Sequence, residues 1–137
     1  MVLVHGACHG AWCWDGVTPH LMQRGHAVVA PDLPIDDPGK GLEDYAAAVA
    51  STMPEDSRDV VLVGHSLGAL AVPMVAARRD VAAIVFLAGI IGMPGKSLAD
   101  LAELDAERDA PLGDEDYVSF DNGTFVFTEA GARRTLY

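Results

Sequence analysis

Val60-Val61-Leu62-Val63-Gly64-His65-Ser66-Leu67-Gly68-Ala69-Leu70 is an apolar run that breaks at a serine framed by two glycines. The run before the break predicts a buried strand, and the small and aliphatic residues after Gly68 predict a helix packed on it. Between them Gly64-x-Ser66-x-Gly68 has the pattern of a nucleophile elbow. The pattern has a physical reason: the serine sits at a tight strand-to-helix bend, and a side chain two positions before or after it would collide with neighbouring backbone. Such a bend lifts the hydroxyl to the carboxyl end of the sheet, where a substrate can reach it. The three-residue pattern alone is common, so the strand before it and the helix after it carry the weight.

Outward from this stretch, strands and helices alternate. Met1-Val2-Leu3-Val4 predicts a short buried strand that ends at His5-Gly6. A helix is expected from about Asp15 to Arg24, with Val17, Leu21 and Met22 on one face, Pro19 in its first turn and Gly25 as its stop. His26 to Ala30 predicts a second strand, closed by Pro31-Asp32-Leu33-Pro34, and Ile35 to Gly41 a loop. Leu42 to Met53 predicts an amphipathic helix ended by Pro54, with Tyr45 and Val49 four residues apart. The helix after the serine is expected to run to about Arg79 with Pro73 inside it, and Val81 to Ala88 predicts a fourth, wholly apolar strand. Strand and helix in turn mean an α/β fold, a parallel sheet with helices on both faces.

Beyond Gly89 the character changes. A Gly/Pro-punctuated connection leads to a helix marked by Leu98, Leu101 and Leu104, then an acidic loop from Asp109 to Asp116. Tyr117 to Phe120 and Thr124 to Phe127 flank Asn122-Gly123, a hairpin signal, and Thr128 is placed to cap a last helix.

With 137 residues, half of them apolar, the chain has enough material for one modest core. No run of eighteen apolar residues and no basic-then-apolar leader is present, so a soluble, cytoplasmic protein without a membrane partner is the default expectation. The net charge of −11 is spread over loops and helix ends and argues against nucleic acid, whose phosphates need a basic patch. Cys8 and Cys13 lie five apart in one glycine-rich loop, which makes neither a disulfide scaffold nor a CxxC metal site.

A serine hydroxyl needs a base to take its proton and donors to hold the oxyanion. One donor is the backbone N–H of Leu67, directly after the serine. The second is expected from the turn after the first strand, with the Ala7 N–H the best placed and Gly6 allowing close approach; a plain strand-ending turn is the other reading of His5-Gly6. No base is in view. His65 adjoins the serine and points away from it, His5 is expected to be a structural hydrogen-bonder, His9 borders the same loop, and His20 and His26 lie on a helix surface and a strand entry. No histidine follows Ser66. His5 and His9 at turn positions without a nearby carboxylate make a poor metal site, and nothing adjacent would lower the pKa of Cys8, so neither a metal nor any other cofactor is expected.

His5-Gly6-Ala7-Cys8-His9-Gly10-Ala11-Trp12-Cys13-Trp14, Gly64-His65-Ser66-Leu67-Gly68-Ala69 and Val85-Phe86-Leu87-Ala88-Gly89 together resemble the α/β-hydrolase superfamily, in the branch of methylesterases, hydroxynitrile lyases and their bacterial relatives. The resemblance runs through almost the whole chain. It implies residues 1–95 as the amino-terminal part of the hydrolase core and 96–137 as the start of a cap over the active site. It also implies Ser66 as nucleophile, Ala7 and Leu67 N–H groups as oxyanion hole, and a small-molecule ester as substrate. The lyases of this branch carry threonine where this chain has Gly6, which favours the ester-hydrolysing members. The acid and histidine of the family belong to a carboxyl-terminal part that is not among these residues. The expectation is therefore a truncated serine hydrolase, inactive or weakly active alone, whose apolar fourth strand is an open edge inviting self-association. The second reading is a non-catalytic small-molecule-binding protein of the same fold.

Overall fold

In a computed structural model the protein divides into two compact units, Met1–Ile91 and Gly92–Tyr137. Residues 1–56, 58–97, 100–101, 117–119 and 125–136 are described.

The first unit is built on three parallel strands in the order β1-β2-β3: β1 Val2–Val4, β2 Val61–His65 and β3 Ala83–Leu87. Leu3 stands opposite Val63 and Val63 opposite Val85, so residues of one parity line one face. Val2, Val4 and Leu62 face a cluster supplied by α2 (Leu42–Ser51) and α3 (Gly68–Ala76), in which Val49, Val72 and Val75 are fully buried. Leu3 and Val63 face the other way, onto Trp14, Cys13, Leu21 and Val28. Helices on both faces of a parallel sheet follow from the alternation of strand and helix, and each buried Val or Leu contributes about 1.5–3 kcal/mol.

Two expected elements shrink, for visible reasons. The second strand reduces to a single bridge, Val2 to Val29, in which Val29 donates to the Met1 carbonyl (3.0 Å) and accepts from Leu3 N–H (2.9 Å). The next donor in a parallel ladder would be residue 31, a proline with no N–H, so pairing stops there. The helix expected from Asp15 to Arg24 shortens to α1, Thr18–Gln23, with Pro19 in its first turn and Gly25 (φ +86°) as its stop, and the loop before it holds a 3-10 turn, Ala11–Trp14. Of its expected apolar face only Leu21 packs on the core; Val17 and Met22 are exposed.

The other helices keep their place with shorter ends. α2 stops at Ser51, and its third residue, Asp44, reaches back to accept from Gly41 N–H at 3.0 Å. Arg79, just past α3, donates to the carbonyls of Ala50 (3.4 Å) and Pro54 (2.7 Å), closing the end of α2 that Pro54 leaves open. Pro73 lies within a continuous α3 with its ring on the exposed side. β3 forms the edge of the described sheet, and Val85, Phe86 and Leu87 are exposed along it.

In the second unit Ser97 and Asp100 cap each other at the start of a helical turn: Ser97 N–H donates to the Asp100 carboxylate (2.7 Å), and Asp100 N–H to Ser97 Oγ (3.1 Å). Most of the helix expected around Leu98–Leu104, and the acidic loop after it, lie outside the described residues. β4 (Tyr117–Ser119) and β5 (Phe125–Phe127) pair antiparallel as the hairpin signal predicts, with the Asn122-Gly123 turn outside the described residues. Thr128 Oγ1 accepts from Gly131 N–H (3.0 Å) and so caps α4, Glu129–Leu136.

Candidate active site

Ser66 follows the last residue of β2 and has φ +49°, a left-handed conformation that a side chain adopts only at a cost of about 1–3 kcal/mol. The bend is held from three directions. Ser66 N–H donates to Leu87 O at the end of β3 (3.2 Å), and Ser66 O accepts from Ala69 N–H and Ile90 N–H, both at 3.1 Å. The two flanking glycines are required by close packing: a Cβ on Gly64 would lie 2.7 Å from Ala69 Cα, and one on Gly68 would collide with the His5 carbonyl oxygen.

The turn after β1 lies against this bend. A Cβ on Gly6 would be 2.9 Å from Ser66 Cβ and 3.1 Å from His65 Nδ1, so Gly6 is what lets Ala7 and the serine share one corner of the sheet. Among the described residues neither Ala7 N–H nor Leu67 N–H donates a hydrogen bond, and Ser66 Oγ has no partner. Among the described residues Cys8 (φ +59°) and Ala88 (φ +43°) are the other left-handed residues that are not glycine; Ala88 directly follows β3, and Cys8 lies in the loop after β1. Neither Cys8 nor Ala88 carries a sequence signal for it.

The loop is tied to the segment after Val29 by two bonds. Asp32 Oδ1 accepts from Ala11 N–H at 2.6 Å, and the fully buried His5 accepts from Leu33 N–H at 2.9 Å through Nε2. Asp32 escaped the sequence reading; its only signal is an acid between two prolines at a strand end. His65 packs edge-on against Trp14 and His9, with ring centroids 6.3 and 5.9 Å apart and planes nearly perpendicular, while His9 stacks on Trp12 at 5.3 Å. Burial pushes the Cys8 thiol up, and burial with the charges of Asp15 and Asp32 pushes Cys13 up, so neither sulfur is disposed to be a thiolate nucleophile. The described residues contain no group of three or more metal-ligating side chains and no helix long and apolar enough to cross a membrane.

Burial first, then His9 and His5 nearby, hold His65 below its usual 6.5. A depressed folded value means that the unfolded chain binds the proton more tightly. This contribution to stability is therefore present above pH 6.5 and lost as pH falls through the lowered folded value. Urea midpoints measured as pH descends below 6.5 should fall, and fall less steeply in His65→Gln. An unchanged slope in the variant would remove His65 as the cause.

The profile of the alpha/beta hydrolase family matches residues 1–136. The chain belongs to the alpha/beta hydrolase family. Within it the chain lies in the methylesterase-like branch: it is 35% identical over 135 residues to methyl jasmonate esterase 1 of Vitis vinifera, covering 90% of this chain and 51% of that protein. It is also 44% identical over 85 residues to methylesterase 3 of Arabidopsis thaliana, covering 54% of this chain and 32% of the relative. The chain thus spans about half or less of the length of these relatives. Among solved structures, a pyrethroid hydrolase from Sphingobium faniae JZ-2 superposes with a TM-score of 0.71 at 27% identity, over 97% of this chain and 57% of that one.

Proposed function

We propose that these residues form the nucleophile half of a serine hydrolase acting on small carboxylic esters through an acyl-enzyme. The observation that carries this is the left-handed Ser66 at the end of β2, with its hydroxyl unpaired among the described residues and Gly6 against its Cβ. Ser66 Oγ attacks the ester carbonyl carbon, and the carbonyl π pair moves onto oxygen, where the N–H groups of Ala7 and Leu67 hold it. Collapse of that adduct expels the alcohol and leaves an acyl-serine that water then hydrolyses. The relatives named as methylesterases and a methyl jasmonate esterase support the ester class. The bare Gly6, where a side chain would press on Ser66, supports hydrolysis over lyase chemistry.

The proton on Ser66 Oγ needs an acceptor. His65 is engaged with Trp14 and His9, and no histidine follows Ser66 in the 137 residues. On this reading the acid and base belong to the part of the hydrolase fold that these residues do not span, and residues 96–137 begin its cap. The 137-residue protein alone then keeps only what the oxyanion donors supply, residual activity at most. Its turnover of p-nitrophenyl esters is expected to stay near background. Turnover with a near-neutral pH dependence, lost in Ser66→Ala, would place a working base within these residues and overturn that part of the reading.

A further inference from the structure

We propose that His5 is a positioning residue for oxyanion stabilisation, a buried imidazole that fixes the Gly6–Ala7 peptide so that its N–H points at the developing charge; this rests on the assignment of the Ala7 N–H as an oxyanion donor. Leu33 N–H donates to His5 Nε2 at 2.9 Å. A ring nitrogen that accepts carries no proton, so the proton is on Nδ1, which donates to the Gly6 carbonyl oxygen at 2.8 Å. The Gly6 carbonyl and the Ala7 N–H belong to one planar trans peptide, the described residues having no cis bonds, and in such a group the two point opposite ways. Holding the oxygen therefore holds the N–H. The link runs from the Leu33 N–H through the imidazole and the peptide to the place where an ester oxygen would sit.

Three features make this more than packing. His5 is 1% exposed, so no water competes for either ring nitrogen. Gly6 is the residue at which the peptide plane would flip most easily, and the Nδ1 bond opposes that flip. A hydrogen bond onto a carbonyl also polarises its amide, which strengthens the N–H as a donor. The next peptide is held the same way: Ala7 O, which can only accept, takes the Nδ1 proton of His9 at 2.9 Å, so imidazoles fix both planes flanking Ala7.

The two ring nitrogens can be separated by substitution. His5→Asn sets an amide NH₂ near the Nδ1 position and keeps the donor to Gly6 O, whereas His5→Gln sets a carbonyl near the Nε2 position and keeps the acceptor for Leu33 N–H. In 15N-labelled protein the Ala7 amide resonance should stay close to wild type in His5→Asn and move in His5→Gln, with the Leu33 amide behaving the opposite way. The rate at which a fluorophosphonate modifies Ser66 should fall at least about tenfold in His5→Gln and stay within about threefold in His5→Asn. Equal losses in both variants, in step with their stabilities, would make His5 a structural residue only. In the unsubstituted protein, imidazole 15N spectra should show the Nδ1–H form of His5, and the Nε2–H form would overturn the proposal even if neither variant folds. If wild-type Ser66 fails to react at all, the nucleophile assignment falls, while the Ala7 resonances still decide what His5 does.

Discussion

Gly68→Ala is expected to destabilise the protein by about 3 kcal/mol or more, against a helix-propensity gain of about 1 kcal/mol in the other direction. The new methyl would enter the His5 carbonyl oxygen and come within 2.9 Å of Val4 O and 3.0 Å of Val4 Cγ1. The first two are backbone atoms at the end of β1, held by the ladder to β2, so they have little room to yield. Either α3 backs away from the sheet or the His5-Gly6-Ala7 turn shifts, and the second outcome also disturbs the corner around Ser66. Gly16→Ala is the control, since nothing lies within 4 Å of the Cβ it would add. Urea denaturation of the two variants measures the contrast; a Gly68→Ala protein within about 1 kcal/mol of wild type would mean that α3 does not approach β1 this closely.

Ser66→Ala is expected to have the largest effect on reactivity and almost none on stability. Alanine keeps the Cβ and with it the strain of φ +49°, and the hydroxyl it removes has no partner among the described residues. The variant should therefore unfold within about 0.5 kcal/mol of wild type while losing its reaction with acylating and phosphonylating reagents. Ser66→Gly isolates the strain: with no Cβ at a left-handed residue it should gain about 1 kcal/mol while being equally unreactive. Stability sacrificed at one residue and recovered by deleting its side chain is the signature of a site shaped for chemistry.

How much of this was legible in the sequence depended on whether a residue's conformation follows from its own side chain. The elbow was, because Gly64 and Gly68 are small where backbone atoms come within contact distance, and the apolar runs at 60–63 and 81–88 announce strands. The expected structural role of His5 was also legible, since a histidine at the end of a wholly apolar strand needs hydrogen-bond partners. The truncation of the second strand followed from Pro31, yet a five-residue apolar segment outweighed it in the reading. The 3-10 turn before α1 begins at the Asp32 tie to Ala11, a contact between residues 21 apart that no local pattern reveals. The left-handed Cys8 and Ala88 were illegible for the same reason. Both lie in turns that follow strands, and their side chains do nothing to favour the conformation.

The central claim, that Ser66 is a nucleophile set at the carboxyl edge of the sheet, is tested most directly by mapping where a fluorophosphonate attaches after prolonged exposure of the 137-residue protein at mildly alkaline pH. On the proposed reading, in which the base lies outside these residues, the reaction is slow, but the strained turn and the two N–H groups should still confine it to one residue. Peptide mass mapping is expected to find the adduct on Ser66 and not on Ser51, Ser57, Ser97 or Ser119. An adduct spread among those serines, or none on Ser66, would contradict the account and leave the non-catalytic binding protein of the same fold in its place.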